Sequence, residues 1–437
     1  MRISVLGCGY LGAVHAVSLA ALGHDVVGVD VDAQKIAQLA AGRSPFYEPG
    51  LESALQHALG AGRLAFTTDV AAVRGARVHF IAVGTPQKRG ESAADLSFVD
   101  AAVDSLLPHL NAGDVVVGKS TVPVGTAARL APRLETARTG AVLAWNPEFL
   151  REGYAVNDTI APDRIVYGLP SGEAGVRARR ALDEVYAVAI GNDTPVVATD
   201  YATAELVKAA ANAFLATKIS FINAMAEIAE VTGADVTQLA DALGFDQRIG
   251  RRFLNAGVGF GGGCLPKDIR AFTARAEELG RGDSLAFLRE MDSINLRRRS
   301  RLVELVAEAL GGSVYEKKIA VLGLAFKPDS DDVRDSPALD IAVQLKGLGA
   351  DVVATDPQAV ETSRRLHPQL EYAAGLEEAL DGADAVVLVT EWKQFRELDP
   401  AWARGLVGTP LIVDGRNTLD ADRWRAAGWT YRGFGRP

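Results

Sequence analysis

The chain has 437 residues, 48% of them hydrophobic and 23% charged, with a formal net charge of −9. That balance suits a soluble globular protein of two or three domains. It argues against nucleic acid as a partner, because the basic residues form no long run and the triplet Arg297-Arg-Arg299 reads as a solvated helix face.

The first residues, Met1-Arg-Ile-Ser-Val-Leu6, form a short apolar strand, and this start reads as part of a binding fold rather than a signal peptide. Gly7-Cys-Gly-Tyr-Leu-Gly12 follows at once, then a helical stretch over residues 13–22, then a strand over residues 25–29 that ends in Asp30. This is the dinucleotide fingerprint in the context it needs. Gly7 permits the tight turn, Gly9 lets backbone approach a pyrophosphate, and Gly12 permits close helix packing. The helix N-terminus supplies amide donors to phosphate. Asp30 would accept from an adenosine ribose and repel a 2′-phosphate, and no Arg follows among residues 31–34, so the cofactor reads as NAD.

Up to about residue 197, β-like runs alternate with helical ones: residues 78–83, 114–119 and 141–145 are three of them. Alternation of this kind predicts a doubly wound parallel sheet. The strand ends carry Gly84-Thr-Pro86, Ser120-Thr-Val-Pro123 and Asn146-Pro-Glu148, where ligands of such sheets bind. From Tyr201 to Thr232 the pattern changes to one long helix with neither Pro nor Gly, and further helical sequence runs to about residue 310. The long helix reads as a spine between domains and as a dimer contact.

One of only two cysteines, Cys264, lies in Gly259-Phe-Gly-Gly-Gly-Cys-Leu-Pro-Lys-Asp268. The glycines let backbone approach a ligand. Lys267 sets a cation beside the sulfur, which favours a nucleophilic thiolate. Asp268 could activate a water. None of the six histidines lies between residues 110 and 366, which makes a His base near Cys264 improbable. Two cysteines cannot build a disulfide framework, so the expected compartment is the reducing cytoplasm. No apolar run reaches the ~20 residues that span a membrane, and no Cys/His cluster has metal-ligand spacing, so no membrane partner and no metal are expected.

A third segment opens near residue 316, with a strand leading into a turn over residues 318–327 and further strands over residues 351–356, 385–390 and 410–414. It echoes the first domain but keeps only Gly323 of the fingerprint, which predicts a second Rossmann-like sheet that has lost dinucleotide binding. The fold class expected is α/β: two Rossmann-like doubly wound parallel-sheet domains joined by a long central helix. The boundaries fall at residues 1–197, 198–310 and 311–437.

Nine ordered blocks together resemble the UDP-glucose/GDP-mannose dehydrogenase family over essentially the whole chain. They are Gly7 to Gly12, Gly84-Thr-Pro86, Ser120-Thr-Val-Pro123, Asn146-Pro-Glu-Phe-Leu-Arg-Glu-Gly153, Pro162-Asp-Arg-Ile-Val166, Ala204-Glu-Leu-Val-Lys208 with Asn212, Gly259 to Asp268, Gly323-Leu-Ala-Phe-Lys327 and Asp331-Asp-x-Arg-x-Ser-Pro337. The resemblance implies oxidation of a primary alcohol to a carboxylate with two NAD⁺. Cys264 would add to the aldehyde, lose hydride as a thiohemiacetal and leave a thioester for water. Lys208 would stabilise developing oxyanions, Asn212 would position water or a sugar oxygen, and Asp268, Thr121 and Glu148 would complete the catalytic set.

Cofactor contacts implied in the same way are Gly7, Gly9, Tyr10, Leu11, Gly12, Asp30, Lys35, Thr85, Pro86, Thr121, Glu148, Lys267 and Arg334. Substrate contacts are Phe149, Leu150, Glu152, Lys208, Asn212, Arg248, Phe253, Leu254, Asn255, Gly257, Phe260, Gly261, Lys327 and Arg416. Arg248 would act across a homodimer interface. Asp246-Gln-Arg-Ile-Gly250 points to UDP-glucose as the substrate and UDP-glucuronate as the product. Gly263 and Leu265 flank the cysteine where many such enzymes have Ser and Phe, which keeps GDP-mannose or UDP-N-acetylmannosamine as alternatives. A non-catalytic nucleotide-sugar-binding protein would have no need of Cys264, Lys208, Asn212 and Asp268 together.

Overall fold

The computed structural model describes residues 1–436 and divides into two compact units. The first holds residues 1–211 and 270–280; the second holds residues 212–269 and the chain from 281 onward.

The first unit is built on an eight-stranded sheet of order β3-β2-β1-β4-β5-β6-β7-β8. Its strands are β1 Arg2–Leu6, β2 Asp25–Val29, β3 Leu64–Thr67, β4 Val78–Ile81, β5 Val115–Gly118, β6 Val142–Trp145, β7 Ile165–Gly168 and β8 Val196–Thr199. Successive side chains of a strand point to opposite faces. Ile3 and Val5, with Val115 and Val117, enter one core, while Leu6 and Val116 enter the other. Both faces are covered, so the strands read as unbroken apolar runs rather than as alternating ones. The helix Tyr10–Ala21 begins inside the fingerprint, three residues earlier than the sequence pattern places it.

The sheet departs from the all-parallel expectation at one edge. β6 and β7 pair antiparallel through Trp145 and Gly168, and β8 runs parallel to β7. Asn146 continues this junction with its side chain: Nδ2 donates to the Val166 carbonyl at 3.0 Å, and its backbone N–H donates to Gly118 at 2.8 Å.

The second unit carries a wholly parallel six-stranded sheet of order β11-β10-β9-β12-β13-β14. Its strands are β9 Lys318–Leu322, β10 Asp351–Thr355, β11 Glu371–Tyr372, β12 Ala385–Leu388, β13 Leu411–Asp414 and β14 Thr430–Gly433. This is the connectivity of β3 through β6 repeated, with the crevice where strand order reverses lying between β9 and β12. The long helix Tyr201–Thr232 contributes residues to both units.

Of the basic triplet only Arg297 lies on a solvated face, where it pairs with Glu227 at 3.0 Å. Arg298 is fully buried and Arg299 nearly so, within the helix Ala286–Ala309. The Arg298 guanidinium lies 4.0 Å from the centroid of Phe434 and within 3.7 Å of Glu227 and Glu230. Buried cations persist when paired in this way. A run of like charges in sequence gives no sign of such partners, which come from elsewhere in the chain.

No helix among the described residues is long and apolar enough to cross a membrane. Among the described residues, no group of three or more His, Cys, Asp or Glu is arranged to hold a metal ion.

Candidate active site

In the first unit the fingerprint turn separates what the fold needs from what it leaves open. Gly7 has φ +90°, and a Cβ there would lie 2.8 Å from Val83. A Cβ on Gly12 would fall 1.7 Å from the Gly7 carbonyl oxygen. A Cβ on Gly9 would meet nothing within 4 Å. Gly9 therefore answers to no packing demand of the chain itself, and the space beside it suits a pyrophosphate on the helix N-terminus. We expect Gly9→Ala to keep the melting temperature within about 2 °C, as a surface change would, yet to weaken NAD⁺ binding at least ~10-fold. Gly12→Ala should cost ~1–3 kcal/mol or more through overpacking. Thermal melts beside a calorimetric NAD⁺ titration read both.

Asp30 ends the second strand and faces the same turn. Its carboxylate accepts from the Cys8 amide at 2.7 Å, the Asp32 amide at 3.0 Å and Lys35 Nζ at 3.1 Å. Burial pushes its pKa up, but these two amides and the ammonium outweigh that and hold it below the ordinary range. A carboxylate accepts about four bonds, so room remains for a ribose hydroxyl. Cys8, by contrast, is a buried thiol pushed up to about 12, first by burial and then by Asp30.

The counterpart of Asp30 in the second unit is Asp356, at the tip of β10. It accepts from the amides of Leu324, Ala325, Gln358 and Ala359 and from Trp392 Nε1 at 3.0 Å. Five donors saturate this carboxylate, and no acceptor capacity is left for a ribose. The second sheet, of the same topology, thus lacks the spare acceptor that Asp30 keeps in the first.

Along the carboxyl edge of the first sheet, Thr85 Oγ1 donates to the Thr121 carbonyl at 2.8 Å, which ties the ends of β4 and β5 together. Pro86 follows Thr85 in the same segment. Glu205 accepts from the Gly125 and Ala127 amides at 2.7 and 2.6 Å and so anchors the chain just beyond Thr121. Glu148 Oε1 pairs with Lys208 Nζ at 2.9 Å, and Oε2 accepts from the Leu150 amide at 2.7 Å. Burial alone would raise the Glu148 carboxyl; Lys208, the Leu150 amide and Lys119 outweigh it and keep it below the ordinary value. Phe149 lies under Arg164 at 3.9 Å and near Lys208 at 5.6 Å. Tyr10 donates to Glu48, whose carboxylate also accepts from the Gly153 and Ala155 amides at 2.6 and 2.7 Å. Glu48 thus links the fingerprint to the segment holding Leu150 and Glu152. Leu11 packs on the same core.

In the second unit Cys264 is exposed and directly precedes the helix Leu265–Glu278. The Asp268 amide donates to the Cys264 carbonyl at 3.0 Å. Asp268 is buried, accepts from Asn212 Nδ2 at 2.7 Å and pairs with Lys267. Asn212, Asp268, Lys267 and Cys264 are therefore brought together. A helix N-terminus favours negative charge on the sulfur, as does the Lys267 ammonium.

The glycines of this loop are required by the packing of the unit itself. A Cβ on Gly261 would lie 2.2 Å from the Asp335 carbonyl, one on Gly262 would lie 2.7 Å from the Phe326 ring, and one on Gly263 would lie 2.3 Å from the Arg334 guanidinium. Here the close approach is made by the unit's own residues 326–335. Lys327 lies 5.4 Å from the Phe326 ring, and Arg334 is held by Asp332 at 2.7 Å. Arg416 gives three of its donors to the carbonyls of Val389, Gly259 and Phe326 at 2.8, 3.0 and 3.0 Å. It braces the cysteine loop.

Three supports escape a sequence reading. Asn295 mimics backbone, accepting from the Phe260 amide at 2.7 Å and donating to its carbonyl at 2.9 Å. Asn223 accepts from the Gly257 amide at 2.8 Å, and Arg298 Nε donates to the Gly257 carbonyl at 3.3 Å. Leu254 is buried beside them, while Asn255 accepts from Arg251 at 2.7 Å. Phe253 is half exposed with φ +67°, an uncommon conformation for a bulky residue. Arg248 is not drawn in: it is exposed and pairs with Asp246 at 2.6 Å.

The fold is that of nucleotide-sugar dehydrogenases. Residues 1–190 match the NAD binding domain of the UDP-glucose/GDP-mannose dehydrogenase family, residues 202–297 its central domain, and residues 320–421 its UDP binding domain. The chain is 43% identical to a UDP-glucose 6-dehydrogenase of Rhizobium meliloti over 440 residues, covering all of both chains. It is 42% identical to the UDP-glucose 6-dehydrogenase TuaD of Bacillus subtilis, covering all of this chain and 93% of that one. Among solved structures, a UDP-glucose dehydrogenase of Pyrobaculum islandicum superposes with a TM-score of 0.90 at 39% identity, over 100% of this chain and 98% of that one. The chain belongs to the UDP-glucose/GDP-mannose dehydrogenase family, and it is an NAD-dependent oxidoreductase.

Proposed function

We propose that this protein oxidises UDP-glucose to UDP-glucuronate, reducing two NAD⁺. The observation that carries the reading is the exposed Cys264 at a helix start, beside the buried Asn212–Asp268 pair. The first hydride leaves carbon 6 of the sugar as its hydroxyl loses a proton. The Cys264 thiolate then adds to the aldehyde, and the thiohemiacetal loses a second hydride to give a thioester. Water cleaves the thioester, releasing the carboxylate and the thiolate. Gly9, Asp30 and Lys35 would hold the adenosine and pyrophosphate of NAD⁺, which would supply the hydride acceptor. Tyr10, Leu11, Thr85, Pro86 and Arg334 would complete its contacts. Lys208 stabilises the oxyanions, Glu148 activates the water, and Thr121 and Asn212 orient it. Asp268 exchanges protons at the reacting oxygen, and Lys267 supports the thiolate.

Phe149, Leu150, Glu152, Phe253, Leu254, Asn255, Gly257, Phe260 and Gly261 shape the sugar-nucleotide site, with Lys327 and Arg416 at its nucleotide end. Three functional segments, residues 1–197, 198–310 and 311–437, divide these tasks. The test is NADH formed per limiting UDP-glucose. Two equivalents are expected, whereas one equivalent with released aldehyde, or none, sinks the reading. GDP-mannose and UDP-N-acetylmannosamine in parallel assays identify a different sugar if one serves.

The working form we propose is a homodimer. Phe214, Phe221 and Ile228 recur at seven-residue spacing on the long helix and are 67%, 44% and 56% exposed. Such a seam suits a second copy of the chain, and Arg248 would then serve the neighbouring site. Phe221→Asp should convert a dimer into monomer in light scattering; a monomeric parent protein would refute this. A thiol that must stay reduced supports a cytoplasmic location, which cell fractionation reads directly.

A further inference from the structure

Lys119 is a buried cation with no part in the steps above. It follows β5, is 6% exposed, and lies 5.8 and 5.7 Å from the ring centroids of Phe80 and Tyr186. Burying an ammonium is costly unless it is bonded, and a Met or Leu would fill the same space. The bonds that hold it are specific. Nζ donates to Asn146 Oδ1 at 2.9 Å and to the Tyr186 hydroxyl at 3.2 Å, and that hydroxyl donates to the same Asn146 oxygen at 2.6 Å.

Asn146 is thereby fixed at every polar group of its side chain, since its Nδ2 is bound to Val166. Two residues on is Glu148. Lys119, Asn146, Glu148, Tyr186 and His15 all line one cleft of about 40 Å³. His15 is fully buried, and neither of its ring nitrogens has a hydrogen-bond partner. Burial first and Lys119 second keep it neutral, so it adds no competing charge. The charged groups acting on Lys119 are Glu148 and Lys208.

We propose that Lys119 is a positioning residue for Glu148: it grips Asn146 to fix the turn that carries the carboxylate, and it supplies a second cation that keeps the carboxylate ionised. The proposal rests on the reading of Glu148 as the group that activates water. Burial foremost brings the Lys119 ammonium down to about 8, against the pull of Glu148, so the charge is present at neutral pH.

The test compares Lys119→Met with Lys119→Arg. In the Met variant the hydrolysis of the thioester should be the step that slows. We expect kcat to fall ~10-fold or more, KM for UDP-glucose to fall with it so that kcat/KM is nearly held, and a sugar adduct on Cys264 to accumulate in intact-protein mass spectra. Losing a nearby cation raises a carboxyl pKa, so the acidic limb of the pH–rate profile should move to higher pH. Lys119→Arg should recover part of both. A fall in kcat with no adduct and an unmoved acidic limb assigns Lys119 a merely structural role and overturns the proposal, as does an unchanged kcat. Hydrogen exchange over residues 146–150 reads the grip without turnover. It should quicken in Lys119→Met, and unchanged exchange overturns the positioning claim. Failure of the parent enzyme to oxidise UDP-glucose counts against the functional reading instead, and the exchange result still decides the grip.

Discussion

Replacing Cys264 by Ser is expected to cut overall turnover roughly a thousand-fold or more while leaving UDP-glucose affinity within a few-fold. Losing a covalent nucleophile commonly costs at least this much. The change is small in volume, and Cys264 is exposed, so no core packing is disturbed. The deficit should be specific. Oxidation of the alcohol needs no thiolate, but oxidation of the aldehyde needs a tetrahedral carbon able to expel hydride. A serine hydroxyl beside Lys267 remains protonated and adds poorly. The NADH yield per UDP-glucose should therefore fall from two equivalents to at most one, with aldehyde trapped by a hydrazine reagent. A variant that still yields two equivalents at an undiminished rate removes Cys264 from the mechanism.

Lys208→Ala should damage both stability and rate. Lys208 and Glu148 are a nearly dry pair, with side chains 6% and 10% exposed and 2.9 Å apart. Removing one partner of a buried pair leaves the other uncompensated, at a cost of ~3–5 kcal/mol. The Glu148 carboxyl would then lose the charge that most opposes its burial, and its pKa should rise. In the folded protein that carboxyl is depressed, so the stability contributed by its ionisation is present above its unfolded value and fades as pH falls through the folded one. The variant should accordingly lose that rise in stability with pH on the acid side. The rate should fall ~10²–10³-fold, the usual cost of removing a group that stabilises a developing oxyanion. Denaturant melts at several pH values from about 3 to 8, which cross the window of the carboxyl, with kcat measured at pH 8, separate the two effects. A variant with parental stability and more than a tenth of parental kcat would rule out this role.

Much of this molecule is legible in its sequence because its motifs are contiguous. Strand, glycine turn, helix and acid-tipped strand fall within the first 30 residues, and the cysteine loop within ten. The reversal of β7 and β8 is not legible: four apolar residues such as Ile165–Gly168 read alike in either direction. Nor are the supports. Asn295 sits in a highly charged helix near Arg297-Arg-Arg299, and only the folded chain shows that it clamps Phe260. Glu48, Asn223, Tyr186 and Lys119 are lone residues far in sequence from what they hold. The glycines at 261–263 show the opposite difficulty: the motif is plain, but the neighbours that require it come from residues 326–335.

The two sheets share a connectivity, yet the acid at the tip of the second strand has been put to different ends. In one sheet it keeps acceptor capacity to spare; in the other, Trp392 and four amides make it an internal cross-link. A scaffold used twice can thus close off an acceptor at one of its two sites by satisfying it from within. An affinity resin bearing an immobilised dinucleotide mimic should accordingly load one equivalent per chain, and soluble NAD⁺ should release the protein in a single step.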